Sequence, residues 1–194
     1  MIQALKTGFF KLLLIGLAFT GGFQATASEL SDLLKNPDHV LLMRHANAPG
    51  VGDPAGYKLQ DCKTQRNLDA RGREQAQRTG QWLRSQGVGN ALVFSSAWCR
   101  CKETAENLAF GTPVPEASLN SFFDNMRQGP QSNLNLQKFI GNQLKIKGDK
   151  ALILVTHHVN IAAFTGENVG SGDMVLAKVN AAGKMISFKI YPSP

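Results

Sequence analysis

The chain has 194 residues, 43% of them apolar and 18% charged, with 21 Lys+Arg against 14 Asp+Glu and a formal net charge of +7. That length and apolar content suit one compact domain with a sizeable core and exclude an intrinsically disordered chain. Three cysteines in a chain this long exclude a disulfide-dense scaffold, and the basic excess has to be located before it is read as a nucleic-acid footprint.

The N-terminus carries Lys6 and Lys11 and no acid, runs apolar from Leu12 to Phe23, and reads Ala25-Thr26-Ala27 before the first acidic residue, Glu29. This is the order of a secretory signal peptide. Thr20-Gly21-Gly22 interrupts the apolar run, whereas a membrane anchor needs ~20 consecutive apolar residues. Residues 1–27 are therefore expected to be removed and residues 28–194 to form the working domain, exported to the periplasm and without a membrane anchor. Loss of Lys6 and Lys11 lowers the net charge from +7 to +5.

Continuous apolar runs at Val40–Met43, Ala91–Phe94 and Ala151–Val155 predict buried strands of a parallel sheet covered on both faces. Ala46 to Leu68, rich in glycine, proline and polar residues, reads as a long loop after the first strand, of the kind that binds ligand or moves. A helix is predicted over Ala70–Gln86, where Ala76, Thr79, Trp82 and Leu83 share a face and Gly87 follows the end. Further helices are expected from about Ala97 to Leu108 and from Leu134 to Ile146. Met174–Val179 and Met185–Ile190 alternate around Asn180-Ala181-Ala182-Gly183 and predict a hairpin on the sheet edge. The fold class is α/β, a three-layer sandwich with a mostly parallel central sheet flanked by helices.

In an exported protein two of Cys62, Cys99 and Cys101 can be oxidised to a disulfide. Cys99 and Cys101 are too close for a comfortable bridge, which leaves a link from Cys62 to either of them, or three free thiols. The C-x-C spacing has no second matching pair to make a zinc site. No metal or cofactor is expected.

Ligands of parallel α/β sheets bind outside the carboxyl ends of the strands. The first run ends in Arg44-His45, the second in Ser95-Ser96 with Arg100 a helical turn on, and the third in Thr156-His157-His158. Two arginines and at least two histidines thus meet at one sheet edge, with no carboxylate immediately beside them. Guanidinium forks fit phosphate oxygens, and a helix N-terminus near Ala97 would add backbone N–H groups aimed the same way. A histidine among such cations stays neutral and can act as a nucleophile toward phosphorus. A Gly-rich loop with Lys-Ser/Thr, the mark of one magnesium-dependent phosphoryl-transfer site, is absent from the sequence.

These residues resemble a known family. Leu41-Leu42-Met43-Arg44-His45-Ala46 is similar to the Arg-His-Gly signature of the histidine phosphatase, or phosphoglycerate mutase-like, superfamily, with Ala for the usual Gly. Asn67 to Ala76 resembles its L-T-x-x-G-x-x-Q-A block, Ser95 to Ala105 its S-S-x-x-x-R-x-x-x-T-A segment, and Leu154-Val155-Thr156-His157 its final V-x-H-G strand end. The blocks occur in the family order. The resemblance implies a phosphoglycerate mutase-like fold, a phosphohistidine on His45, and a phosphate pocket completed by Arg44, Arg100 and His157. Asn47 is a candidate for a further phosphoryl contact, or for an Asx-turn in the loop.

Many family members carry a general-acid Glu after a Leu-Asn pair, but Leu119-Asn120 is followed by Ser121. Asp124 is the nearest carboxylate and the candidate acid, with Asp173 a weaker one. His158 stands where the family often has Gly, so it lines the pocket or narrows it. The leading expectation is a metal-independent phosphatase acting on a phosphorylated small molecule or envelope glycan. The alternatives are a catalytically weak phosphate-binding protein and a phosphohistidine protein phosphatase. Scattered basic residues without a recognition motif argue against a nucleic-acid partner, and the oligomeric state is left open.

Overall fold

The computed structural model describes residues 29–194; the expected signal peptide lies outside the described residues. Burial of the central strands on both faces explains the layering. In β1 (His39–Arg44), Leu41 and Met43 point to one face of the sheet, and Val40 and Leu42 to the other. The first face packs on α1 (Glu29–Lys35), α2 (Ala70–Ser85) and α3 (Cys99–Asn107), through Leu30, Leu34, Leu83, Cys101 and Ala105. The second packs on α4 (Gly129–Ile146) and α5 (His158–Thr165), through Leu136, Ile140, Ile161 and Phe164. The result is the expected three-layer sandwich.

The remaining strands are β2 (Ala91–Ser95), β3 (Val114–Pro115), β4 (Ala151–Thr156), β5 (Met174–Val179) and β6 (Met185–Tyr191). They lie in the order β3-β2-β4-β1-β5-β6. β1, β2, β3 and β4 run parallel, while β5 is antiparallel to β1 and β6 to β5, so the hairpin closes one edge as expected. Among the described residues no helix is long and apolar enough to cross a membrane.

Helix ends differ from expectation for identifiable reasons. α3 starts at Cys99 rather than Ala97, because Trp98 is extended (φ −65°, ψ 137°) and the Ala97 N–H is taken by Asn120 Oδ1 at 2.9 Å. α4 starts at Gly129, five residues before the expected Leu134, with Pro130 in its first turn, where its missing N–H costs nothing. α1 and α5 were not expected; α5 is short, follows β4 directly, and is stopped by Gly166 in the left-handed region (φ 84°).

α2 is positioned against the loop after β1 by two features. Asp69 caps it, accepting from the Gly72 N–H at 2.7 Å. At Gly72 an added Cβ would lie 2.0 Å from the Asn47 carbonyl oxygen, so the close approach of helix and loop requires glycine.

Candidate active site

The parallel register Arg44↔Thr156 carries the first and third strand ends to the same height. The next residues continue the alignment: the His45 N–H donates to the Thr156 carbonyl at 2.9 Å, and the His45 and His157 rings stand 5.5 Å apart, edge to face. α3 brings in Arg100. Arg44, His45, Arg100, His157, His158 and Asp124 all line one cavity of about 220 Å³.

His45 is 1% exposed. Its Nδ1 is 2.8 Å from the Ala46 carbonyl oxygen, which can only accept, so Nδ1 carries the proton and Nε2 the lone pair. Burial, assisted by the nearby Arg100, Arg66 and Arg44 cations, lowers its pKa from 6.5 to about 3, against the opposing pull of the Ala46 hydrogen bond. His157 is held well below its ordinary value by burial first, then by His45 and Arg100. Its Nε2 is 2.8 Å from Ser96 Oγ, and its Nδ1 is 3.5 Å from Arg100 Nη2, a donor. Nε2–H donating to Ser96, whose hydroxyl donates onward to Asn120 Oδ1, is the tautomer that satisfies this chain.

Arg44 donates from Nη1 to the Val169 carbonyl at 2.7 Å, and its buried Nε has no protein acceptor. Arg100 donates from Nη1 to both oxygens of Asp53, at 2.9 and 3.1 Å, and its Nε is likewise unpartnered. Arg66 joins the cavity wall, held through Nη1 to the Ala48 carbonyl and through Nε to that of Gly52 at 2.8 Å. Counted formally with the histidines neutral, Arg44, Arg66 and Arg100 against Asp53 and Asp124 leave a net +1 facing the cavity, an excess of positive charge that suits an anion.

Ser121, and Phe123 and Asp124 from the start of the 3-10 segment Phe123–Gln128, complete the lining. Asp124 accepts from the Tyr57 hydroxyl at 3.1 Å. His158 packs its ring 5.6 Å from that of Phe123, and its pKa is lowered by partial burial and by Arg44.

Several expectations are corrected. Asn47 does not reach the cavity: its carboxamide donates to both Asp69 oxygens at 3.3 Å, and its N–H to Gln75 Oε1, so it fastens the start of α2. Backbone N–H groups at the start of α3 are not free for an anion. Those of Ala97, Trp98 and Cys99 are taken by Asn120 Oδ1, Ser96 Oγ and Gln65 Oε1. The expected absence of a carboxylate beside the cations is overturned by Asp53, which also accepts from Trp98 Nε1 at 3.0 Å and from the Arg66 N–H at 2.9 Å. Asp173 is occupied with the backbone N–H groups of Gly170 and Ser193.

Asp53, Arg66, Trp98 and Ser96 were missed as site residues. The signal for the first two was the long loop from Ala46 to Leu68, whose length pointed to binding without saying which residues turn inward. That loop is tethered by a Cys62–Cys99 disulfide, which joins it to the first residue of α3. Cys101 is free and buried, its thiol pushed up to about 12 mainly by burial. Among the described residues no group of three or more His, Cys, Asp or Glu side chains is placed to hold a metal ion.

A cavity of neutral histidines and guanidiniums lies at the carboxyl ends of β1, β2 and β4 in an α/β sandwich, and residues 40–138 match the sequence profile of the histidine phosphatase superfamily, branch 1. The chain belongs to that superfamily. Its fold is similar to that of the protein histidine phosphatase SixA solved with tungstate (TM-score 0.55, 17% identity, covering 79% of this chain and 94% of that one). It is also similar to a mycobacterial glucosyl-3-phosphoglycerate phosphatase solved with VO3 (TM-score 0.58, 13% identity, 81% and 100% covered). A third similar structure is a phosphoserine phosphatase of Entamoeba histolytica with 3-phosphoglyceric acid (TM-score 0.53, 13% identity, 77% and 95% covered). No curated protein matches the sequence.

Proposed function

We propose that the protein is a phosphomonoesterase that works through a phosphohistidine on His45. The observation that carries this reading is the protonation of His45: its proton is fixed on Nδ1 by the Ala46 carbonyl, and Nε2 is left as a nucleophile in a cavity of net positive charge. Nε2 attacks phosphorus as the ester P–O bond breaks, while the Arg44, Arg66 and Arg100 guanidiniums and His157 stabilise charge on the phosphoryl oxygens. Asp124, as the general acid, gives a proton to the leaving alkoxide. Water then attacks phosphorus, the N–P bond breaks, and Asp124 takes a proton from the water. The guanidiniums supply the positive charge, so the mechanism calls for no metal.

The substrate class that the reading favours is a phosphorylated small molecule or envelope compound. Export to the periplasm is part of the proposal, supported by the order of charged, apolar and small residues at the N-terminus and by a disulfide that suits an oxidising compartment. N-terminal sequencing of protein recovered from a periplasmic fraction is expected to begin at Ser28.

Activity is tested with a phosphomonoester panel and trapping of ³²P-labelled enzyme. Label is expected on the wild type and absent from His45→Ala. Phosphate binding without turnover or label on any substrate would instead favour a catalytically weak phosphate-binding protein.

A further inference from the structure

Beside the phosphoryl cavity lies a second, larger one of about 620 Å³, walled chiefly by Phe122, Phe123, Met126, Pro130, Ala162 and His158. None of these residues carries a formal charge apart from His158 when protonated, and the depressed pKa of His158 keeps it neutral near pH 7. The two cavities share Phe123 and His158 as a common wall. Phe123 is 40% exposed and Met126 61% exposed. Large apolar side chains turned to solvent beside a polar site are what a ligand-binding groove looks like.

Resting on the phosphatase reading, we propose that this groove takes the alcohol part of the substrate, and that this alcohol is uncharged and apolar, an alkyl, isoprenyl or aryl group. Continuity with the phosphoryl cavity is the argument for this occupant. An ester whose phosphoryl group sits at His45 extends its alcohol past Asp124 and across the Phe123–His158 pair, directly into the groove. A sugar or an amino acid would find few polar side chains there, those of Asn133, Asn168 and His158, and of Asn133 only Oδ1 is unpartnered, its amide nitrogen donating to the Ala163 carbonyl. Burying hydroxyls against Phe122, Met126 and Pro130 would leave them unpaired, whereas methylenes gain from the transfer.

The probes are methyl, butyl and hexyl phosphate, with phenyl phosphate to separate aryl from alkyl preference and glycerol phosphate as the polar control. For the wild-type protein kcat/KM is expected to rise about twofold to fourfold per methylene in the alkyl series. Glycerol phosphate should be handled no better than methyl phosphate. Met126→Ser, at an exposed position, and Ala162→Asp, which puts a charge into the groove, should flatten the series while leaving methyl phosphate hydrolysis unchanged.

Binding to His45→Ala by calorimetry provides a second readout that needs no turnover. Hexyl phosphate should bind more tightly than inorganic phosphate, and the difference should vanish in His45→Ala combined with Ala162→Asp. Phosphate binding with no chain-length dependence would overturn the groove assignment and leave the phosphatase reading standing. Failure to bind either anion would overturn both. A chain-length effect insensitive to Met126→Ser and Ala162→Asp, or a change in oligomeric state caused by Met126→Ser, would assign the groove to something other than substrate and overturn the inference.

Discussion

Asp53 and Arg100 form an ion pair at 2.9 Å whose side chains are only 4% and 5% exposed, one from the loop after β1 and the other from α3. The pair orients Arg100, because the second Asp53 oxygen also bonds Nη1 and accepts from the Trp98 indole. Removing one member of a buried pair leaves the other uncompensated, at a cost of about 3 kcal/mol. Asp53→Ala is therefore expected to lower Tm by roughly 6–12 °C. Inorganic phosphate, which offers Arg100 another anion, should raise Tm more in the variant than in the wild type. Thermal denaturation with and without phosphate checks both; an unchanged Tm would remove Asp53 from this role.

Buried neutral histidines make stability depend on pH in a definite direction. His45 binds its proton with a pKa of about 3 in the folded protein and near 6.5 when unfolded. The unfolded chain therefore binds more protons in this interval. The stabilisation is complete above pH 6.5 and is lost as pH falls toward 3, by about 1.4 kcal/mol per pH unit. His157, also held well below its ordinary value by burial, adds to the slope in the same direction. Denaturation midpoints in the absence of phosphate should fall steadily from pH 7 to pH 4.5. For activity the same values mean that His45 is already a neutral nucleophile at pH 5, so an acid limb near pH 6 should track the second ionisation of the phosphate ester and should not shift in Arg66→Lys.

Asp124 lines the same cavity as His45, which on the phosphatase reading ties its effect to the leaving group. Asp124→Asn should reduce kcat on alkyl phosphates about 100-fold, the usual worth of a positioned acid. Hydrolysis of p-nitrophenyl phosphate, whose leaving phenolate needs little help, should fall by less than about fivefold. Stopped assays on both substrates separate the two; an equal loss on each would assign Asp124 to binding. Tyr57→Phe, which removes only the 3.1 Å hydrogen bond to Asp124, should reproduce the pattern in weaker form.

The Cys62–Cys99 link closes a loop between residues 37 apart that contains Arg66. Its reduction should destabilise the fold by about 3–4 kcal/mol on the chain-entropy estimate. KM should rise as well, because Arg66 then loses its fixed place beside Arg100. Thiol titration of the native oxidised protein should find no reactive thiol, with Cys101 emerging only on unfolding. Cys101→Ser should leave KM unchanged, while Cys62→Ser should reproduce the effect of reduction.

The elements that could be read from the sequence were those with a period or an uninterrupted apolar run. Val40–Met43 and Ala151–Val155 had no plausible place except the centre of a parallel sheet, and their adjacency brought His45 and His157 together. Asp53 was hidden because an Asp-Pro step in a Gly-rich loop is ordinary turn chemistry. Only the tertiary path of that loop, set by the disulfide and by Arg66, turns the carboxylate inward. Asn47 erred in the opposite direction: its nearness to His45 in sequence suggested the phosphoryl group, but the strand's exit carries it to Asp69 at the start of α2. α5 escaped notice because an eight-residue helix that is apolar nearly all round has no amphipathic stripe to detect.

On the phosphatase reading, the net positive charge of the cavity also acts after the chemistry is over. The guanidiniums that draw charge onto the phosphoryl oxygens hold free orthophosphate by the same contacts once the alcohol has left. The charge that speeds the first step therefore slows the last, and turnover is expected to be throttled by product. Such an enzyme runs fast where free phosphate is scarce and idles where it is abundant, so its cavity ties its own output to the phosphate level of its surroundings.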